Sequence, residues 1–397
     1  MLTCLFLTAF AAQSGTPVLT DQLHGVKASQ ALGGVTLDMG DLNGDGIHDI
    51  AVSSPGFEFP ELLTYSRGRV EVLSGADFSL LYKWDVRADR DFSIGAHLVN
   101  MGDVNGDGIN DLFVGADGPN LGYVLSGVDG SLHHRVELEG TVHHTSSVDN
   151  AGDLTGDGID DLIFGFWSET FSDQQTGEWA FQAGFVRGFD GLTGRMLFEF
   201  HGTSDYSGVG KTVKGLGDLN KDGTPDIASI DAGFGLGNFT LRVHSGVDGA
   251  EMFTLSDVRV ETLGSLNVDA MDDIDRDGVP EILLSVHSRP NALGHSKAMT
   301  FYLSGADQSV LQKIEGGDYP WPGRVARTIG DMDGDGFRDV GLGEPIVTQG
   351  KDRFSVRVVS GLDGSTLAVI DTGRNFWYGH SFAPVADRDG DGRDELM

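Results

Sequence analysis

Short apolar runs punctuated by Asp, Asn and Gly recur along the whole chain. Runs such as DIAVSSP from Asp49, DLFVGAD from Asp111 and DVGLGEP from Asp339 have strand length and strand composition. Each is followed by a second apolar run that ends in a turn, as in GRVEVLSGADFSLL from Gly68, LRVHSGVDGAEMF from Leu241 and VRVVSGLDGSTLAVI from Val356. Paired runs separated by Gly- and Asp-rich turns predict β-hairpins. Long helical periodicity is absent, and 59 glycines would each cost a helix about 1 kcal/mol relative to alanine. The pattern therefore predicts an all-β protein.

One nonapeptide, D-x-[D/N/T]-x-D-G-x-x-[D/E], occurs seven times: DLNGDGIHD from Asp41, DVNGDGIND from Asp103, DLTGDGIDD from Asp153, DLNKDGTPD from Asp218, DIDRDGVPE from Asp273, DMDGDGFRD from Asp331 and DRDGDGRDE from Asp387. Successive starts lie 62, 50, 65, 55, 58 and 56 residues apart, as insertions in loops between like units would leave them. A period near 60 fits a four-stranded propeller blade with long loops. The turn that ends the third strand recurs only six times, at Ser74, Ser126, Gly188, Ser245, Ser304 and Ser360. The expectation is thus a seven-bladed β-propeller with four antiparallel strands per blade, six blades complete and the seventh truncated at Met397. PVLTDQL, from Pro17, is a candidate closing strand.

Oxygen-bearing side chains at positions 1, 3 and 5 of a tight loop can converge on a hard cation that wants six to eight oxygens. The first loop offers Asp41, Asn43, Asp45 and Asp49, with the carbonyl of residue 47 as a further contact and Gly46 permitting the sharp turn. Its last acid stands at position 9 rather than 12, and strands rather than helices flank it, so it is a β-hairpin calcium loop and not an EF-hand.

A Gly-containing strand, this acidic loop and a short strand ending near Gly-Ala-Pro resemble the FG-GAP repeat, found in the integrin α-chain propeller and in bacterial FG-GAP/VCBS-type surface proteins. The resemblance covers residues 30–397, with blades expected at 30–90, 91–141, 142–204, 205–258, 259–318, 319–375 and, in part, 376–397. Carried over loop by loop, it implies metal ligands at Asp103, Asn105, Asp107 and Asp111; at Asp153, Thr155, Asp157 and Asp161; and at Asp218, Asn220, Asp222 and Asp226. The remaining sets are Asp273, Asp275, Asp277 and Glu281; Asp331, Asp333, Asp335 and Asp339; and Asp387, Asp389, Asp391 and Glu395. Several Ca²⁺ ions, about one per loop, are the implied cofactor. Without metal, 24 clustered carboxylates repel one another, so folding and calcium should be linked. The bland alternative is a set of Asx-type turns with no ion bound.

Composition narrows the partners. Sixty acidic against 27 basic residues give a formal charge of -33, which repels nucleic acid and anionic membranes. Residues 1–11 open an apolar run, MLTCLFLTAFAA, ending in small residues in the manner of a signal peptide, with 12–29 as an N-terminal segment. The single cysteine, Cys4, lies within that run, so the mature chain would have no disulfide. No stretch has the roughly 20 apolar residues of a membrane span.

No catalytic motif stands out. HExxH and GxSxG are absent, and the acid pairs a glycosidase would use belong to the repeat. His133 with His134 and His143 with His144 are adjacent pairs that point to opposite faces of a strand and chelate poorly. Phe113, Phe164, Tyr302 and Phe337 are expected to fill the space between blades. The insertions PGFEFPELLTYSRG from Pro55 and SETFSDQQTGEWAFQ from Ser168 join strands two and three. The resemblance places such loops opposite the metal loops, where a protein or glycan partner docks. The reading is a secreted, periplasmic or cell-surface calcium-binding module for adhesion, binding or scaffolding. The alternative is the propeller part of a larger extracellular enzyme, of the polysaccharide lyase or phospholipase type.

Overall fold

A computed structural model describes residues 3–8, 18–24, 35–55, 68–85, 94–116, 120–137, 145–172, 179–233, 239–255, 263–288, 296–319, 326–348, 351–371, 384–385, 387 and 393–396. These residues form strands and turns, as the hairpin pattern predicts, and the strands assemble into a β-propeller of six blades, each with four antiparallel strands. Blade one is Thr36–Gly40, Asp49–Ser54, Arg69–Leu73 and Leu80–Asp85. Blade two is Leu98–Asn100, Leu112–Gly115, Asn120–Leu125 and Leu132–Glu137. Blade three is Ser147–Gly152, Asp161–Phe166, Phe185–Phe189 and Met196–His201, and blade four is Thr212–Gly217, Asp226–Ala232, Phe239–His244 and Glu251–Leu255. Blade five is Leu263–Ala270, Ile282–Ser288, Ser296–Leu303 and Val310–Tyr319. Blade six is Ala326–Thr328, Val340–Thr348, Lys351–Val359 and Thr366–Asp371.

The expected count of seven blades is corrected to six. Around the seventh acidic loop the described residues form two strands of two residues each, Pro384–Val385 and Glu395–Leu396. These are too short to build a blade. They join Thr3–Thr8 and Val18–His24 in a composite sheet whose two halves meet through one residue pair, Leu7 with Leu396. Thr3–Thr8 lies in the segment whose composition suggests an export leader.

Apolar packing lies between blades, because a blade is covered on both faces by its neighbours. One cluster joins blades one and two through Met39, Val72, Leu112 and Leu125. Phe113 and Phe164 meet edge to face at 5.5 Å between blades two and three. Further clusters follow between three and four, four and five, and five and six. Leu396 packs with Ile329, Val358 and Ile370, which ties the composite sheet to blade six. The second strands of blades one, three and four are buried along their whole length, whereas the fourth strands of blades one and three are half exposed. This is why second strands read as continuous apolar runs and fourth strands do not.

The first strands of successive blades pack against one another around the ring. Four of them carry charges at equivalent positions with alternating sign: Asp149, Lys214, Asp269 and Arg327. Lys214 Nζ lies 3.1 Å from Asp149 Oδ1 and 3.1 Å from Asp269 Oδ1. The other carboxylate oxygens accept the backbone N–H of the next blade, Gly215 at 3.0 Å and Thr328 at 3.1 Å. Blades one and two have Leu37 and Val99 at the same positions. Charge thus latches one arc of the ring, whereas on the other arc these positions are apolar and Asn100 Nδ2 donates to the carbonyl of Asp38 across blades one and two.

Candidate metal centres

Each acidic loop sits between the first and second strands of its blade, and the six loops of the blades share one backbone geometry. Positions 4 and 6 are left-handed throughout, from Gly44 and Gly46 (φ 78° and 88°) to Gly334 and Gly336 (φ 79° and 92°). At position 4 the conformation survives without glycine, in Lys221 and Arg276 (φ 61° and 62°). Lys221 uses the exchange: its Nζ donates to the carbonyl of Asp277 at 2.7 Å and so bridges the fourth and fifth loops.

The first acid of each loop organises the turn. Asp41 Oδ1 accepts N–H groups from Gly44 (2.7 Å) and Asp45 (3.1 Å), and Oδ2 accepts that of Gly46 (2.8 Å). These bonds, that of Gly46 foremost, hold the Asp41 carboxyl below the usual carboxylate range. Asp103 is held down in the same way, chiefly by Gly108. At position 3, Asn43, Asn105, Asn220, Asp275 and Asp333 each accept the N–H of residue 5. At position 5, Asp45, Asp107, Asp157, Asp222, Asp277 and Asp335 each accept the N–H of residue 7. The side chains are thereby turned inward and fixed before any ion arrives, and each oxygen bound to one N–H keeps a lone pair.

The donor set fits a calcium ion. Ligand oxygens of Asp331, Asp333 and Asp335 lie within 4.8 Å of one another, as do those of Asp273, Asp275 and Glu281. Two oxygens on one calcium ion sit no more than roughly 5 Å apart. Glu281 adds a second sign: its Oε1 accepts the N–H groups of Ile274 and Asp275, while Oε2 is buried and without a partner. A buried orphan carboxylate oxygen on an acidic loop is costly unless a cation meets it.

The ninth position divides into two roles that the repeat pattern does not distinguish. Asp49, Asp111, Asp161, Asp226 and Asp339 are completely buried. Each gives one oxygen to the N–H of the second loop residue: Leu42, Val104, Leu154, Leu219 or Met332. The other oxygen takes the N–H of the glycine that turns out of the third strand, namely Gly75, Gly127, Gly191, Gly246 or Gly361. These aspartates staple the loop to its own blade. Burial pushes Asp161 and Asp226 up to about 6 and Glu281 and Asp339 up to about 7. The recurring glycine after the third strand was the signal for the staple: a Cβ there would collide with a loop carbonyl, that of His48 at Gly75 and of Arg338 at Gly361.

Other expected residues fall as follows. Thr155 Oγ1 is 3.5 Å from Asp153 Oδ1, a weaker partner than the amides and acids elsewhere at position 3. In the seventh loop Asp387 is described, whereas Asp389, Asp391 and the side chain of Glu395 lie outside the described residues. Asp394, the eighth residue of that loop, accepts the N–H of Asp331 at 3.0 Å and so joins it to the sixth loop. His133 Nε2 is 3.4 Å from Asp111 Oδ1, on the second loop, while burial pulls His134 below the usual imidazole range. His143, His144 and residues 56–67 of the first insertion lie outside the described residues. Phe113, Phe164 and Tyr302 are fully buried, as a packing role requires, and Tyr302 Oη donates to the carbonyl of Ser360 in the next blade. Phe337 is half buried, under Arg276.

Residues 33–70, which contain the first acidic loop, match the FG-GAP repeat family. This stretch of the chain carries an FG-GAP repeat. The chain is also similar to integrin alpha-PS2 of Drosophila melanogaster, at 35% identity over 95 residues. That stretch is 22% of this chain and 7% of the relative, so the chain spans only a small part of the integrin's length. Two solved structures share the fold over most of both chains. BBS1N, in complex with ARL6DN, has a TM-score of 0.51 at 9% identity and covers 91% of this chain and 93% of its own. Hydrazine synthase of Kuenenia stuttgartiensis has a TM-score of 0.50 at 10% identity, covering 94% and 98%. Such low identities carry the fold alone. Among the described residues, no helix is long and apolar enough to cross a membrane.

Proposed function

We propose that this protein is an extracellular, calcium-stabilised propeller that works as a binding or adhesion scaffold. The observation that supports the calcium reading best is the fifth loop, where Glu281 brings a carboxylate oxygen within 4.8 Å of those of Asp273 and Asp275 and keeps a buried, unpartnered Oε2. Each bound ion neutralises acids that otherwise repel one another and adds its binding free energy to folding. The extracellular reading rests on the FG-GAP repeat and the stretch shared with an integrin α chain. Calcium at millimolar concentration also suits loops whose ligands are partly neutral amides.

The test is calorimetric titration of the chelator-stripped chain with calcium chloride, run beside thermal unfolding. Binding of several ions, about one per intact acidic loop, with a melting temperature that climbs as they bind, is the expected result. No binding and no shift in melting would reduce the loops to hydrogen-bonded turns and remove the proposal.

A further inference from the structure

Within the described residues, blade three carries an additional hairpin, Phe171–Ser172 paired with Trp179–Ala180, between its second and third strands. Where this hairpin re-enters the blade, three large aromatic side chains meet in solvent. Trp179 is 61% exposed, Phe181 37% and Tyr206 45%. The Trp179 and Phe181 rings are 5.9 Å apart, and Tyr206 meets Phe181 edge to face at 5.3 Å. Tyr206 comes from another segment, the connection from blade three to blade four.

The two segments are fastened together. Tyr206 N donates to the carbonyl of Phe181 at 2.7 Å, and Phe181 N donates to Asp205 Oδ1 at 2.8 Å. Ser207 Oγ donates to the carbonyl of Ala183, and Gln182 N to Thr170 Oγ1. Gln182 and Tyr206 both hold left-handed backbone (φ 49° and 62°), which costs a side-chain-bearing residue on the order of 1 kcal/mol each. Exposed apolar rings and strained backbone both work against the free chain. A ligand that covers the rings offsets both.

We propose that Trp179, Phe181 and Tyr206 form a platform for a neutral glycan, on which the C–H face of a sugar ring stacks while the exposed Ser204 and Asp205 at its rim bond to hydroxyl groups. This rests on the reading of the protein as a binding module and names its ligand class. Area favours a sugar over a protein. A buried aromatic side chain covers roughly 150–250 Å², so the open parts of these three sum to about 300 Å². A specific protein contact needs about 800 Å² per partner, whereas one or two sugar rings match the platform. Charge narrows the class further, since a chain of net charge -33 repels sulfated and uronate-rich polymers.

The test titrates the full chain, in calcium, with cellohexaose, chitohexaose and mannohexaose separately by calorimetry. One of the three should bind. Trp179→Ala should weaken that binding about tenfold or more, and Trp179→Phe should recover part of it. Tyr206→Gly is the second variant, because it deletes a ring while relaxing the backbone, and it should weaken binding without lowering the melting temperature. Absence of binding to all three sugars, or binding that Trp179→Ala and Tyr206→Gly leave untouched, overturns the proposal. Calcium stoichiometry is read on the same samples, so a failed platform with intact calcium binding is told apart from a failed calcium scaffold.

Discussion

Asp339 Oδ1 accepts the backbone N–H of Gly361 at 2.9 Å, across 22 residues of chain. Its other oxygen holds Met332 N–H at 2.8 Å inside the acidic loop. One buried side chain therefore joins loop, second strand and third-strand turn. Asp339→Ala leaves two buried N–H groups without partners, each costing about 1–3 kcal/mol. The variant is expected to melt well below the parent in chelator, by differential scanning calorimetry. Asp333→Asn, on the solvent side of the same loop, should lower calcium affinity with little change in chelator.

The glycines of this loop separate conformational from steric cost. A Cβ on Gly336 meets nothing within 4 Å, but its φ is 92°. Gly336→Ala is expected to cost about 1–2 kcal/mol from backbone strain. Gly361→Ala would drive a methyl group into the carbonyl of Arg338. The expected loss there is about 3 kcal/mol, the upper range for overpacking, and denaturant unfolding of the two variants in chelator checks the order.

Stability should depend on pH differently with and without calcium. Asp161 and Asp226 titrate near 6 and Glu281 and Asp339 near 7, all raised by burial. A raised carboxyl pKa means that the folded state prefers the protonated form. Its stabilising contribution is complete below the unfolded value near 4 and is lost as pH rises through 6 to 7. In chelator the melting temperature should therefore fall from pH 5 to pH 8. In calcium, whose charge in the loop favours the ionised form of these buried carboxyls, the fall should vanish or reverse.

Lys214 neutralises two carboxylates from neighbouring blades at once. Lys214→Met leaves Asp149 and Asp269 facing each other with Arg327, on the far side of Asp269, as the remaining cation of the row, at a cost of about 3 kcal/mol. Adding Asp149→Asn should return part of that loss, since the repulsion is then removed. A double-mutant cycle by urea unfolding measures the coupling, and simple additivity would count against the latch.

Much of the ring was written in the spacing of the acidic loops. Asp41, Asp103, Asp153, Asp218, Asp273 and Asp331 each open a loop where the repeat puts one, because a tight turn needs its acids and glycines at fixed local positions. The blade count was not legible, because Asp387 opens a segment with the same letters although the described strands on its flanks are two residues long. Local pattern reports a turn, whereas a blade depends on strands distant in sequence. The double duty of Asp49 or Asp339 was hidden for the same reason: the partner glycine lies on another strand. The aromatic trio was half visible, since Trp179 and Phe181 fall in a singled-out insertion while Tyr206 comes from the next connection.

The composite sheet has a kinetic meaning. Leu7 and Leu396 pair across almost the whole chain, and confining the ends of so long a loop costs on the order of 5 kcal/mol in entropy. One residue pair and one buried leucine cannot meet that cost unaided. The joint can close only when the packing between the intervening blades has already brought blades one and six near each other, with Leu396 packed on blade six and Pro384–Val385 lying against Thr36–Gly40 of blade one. It records the completion of the circle and does not drive it, so weakening it should speed the opening of the ring far more than it slows its assembly.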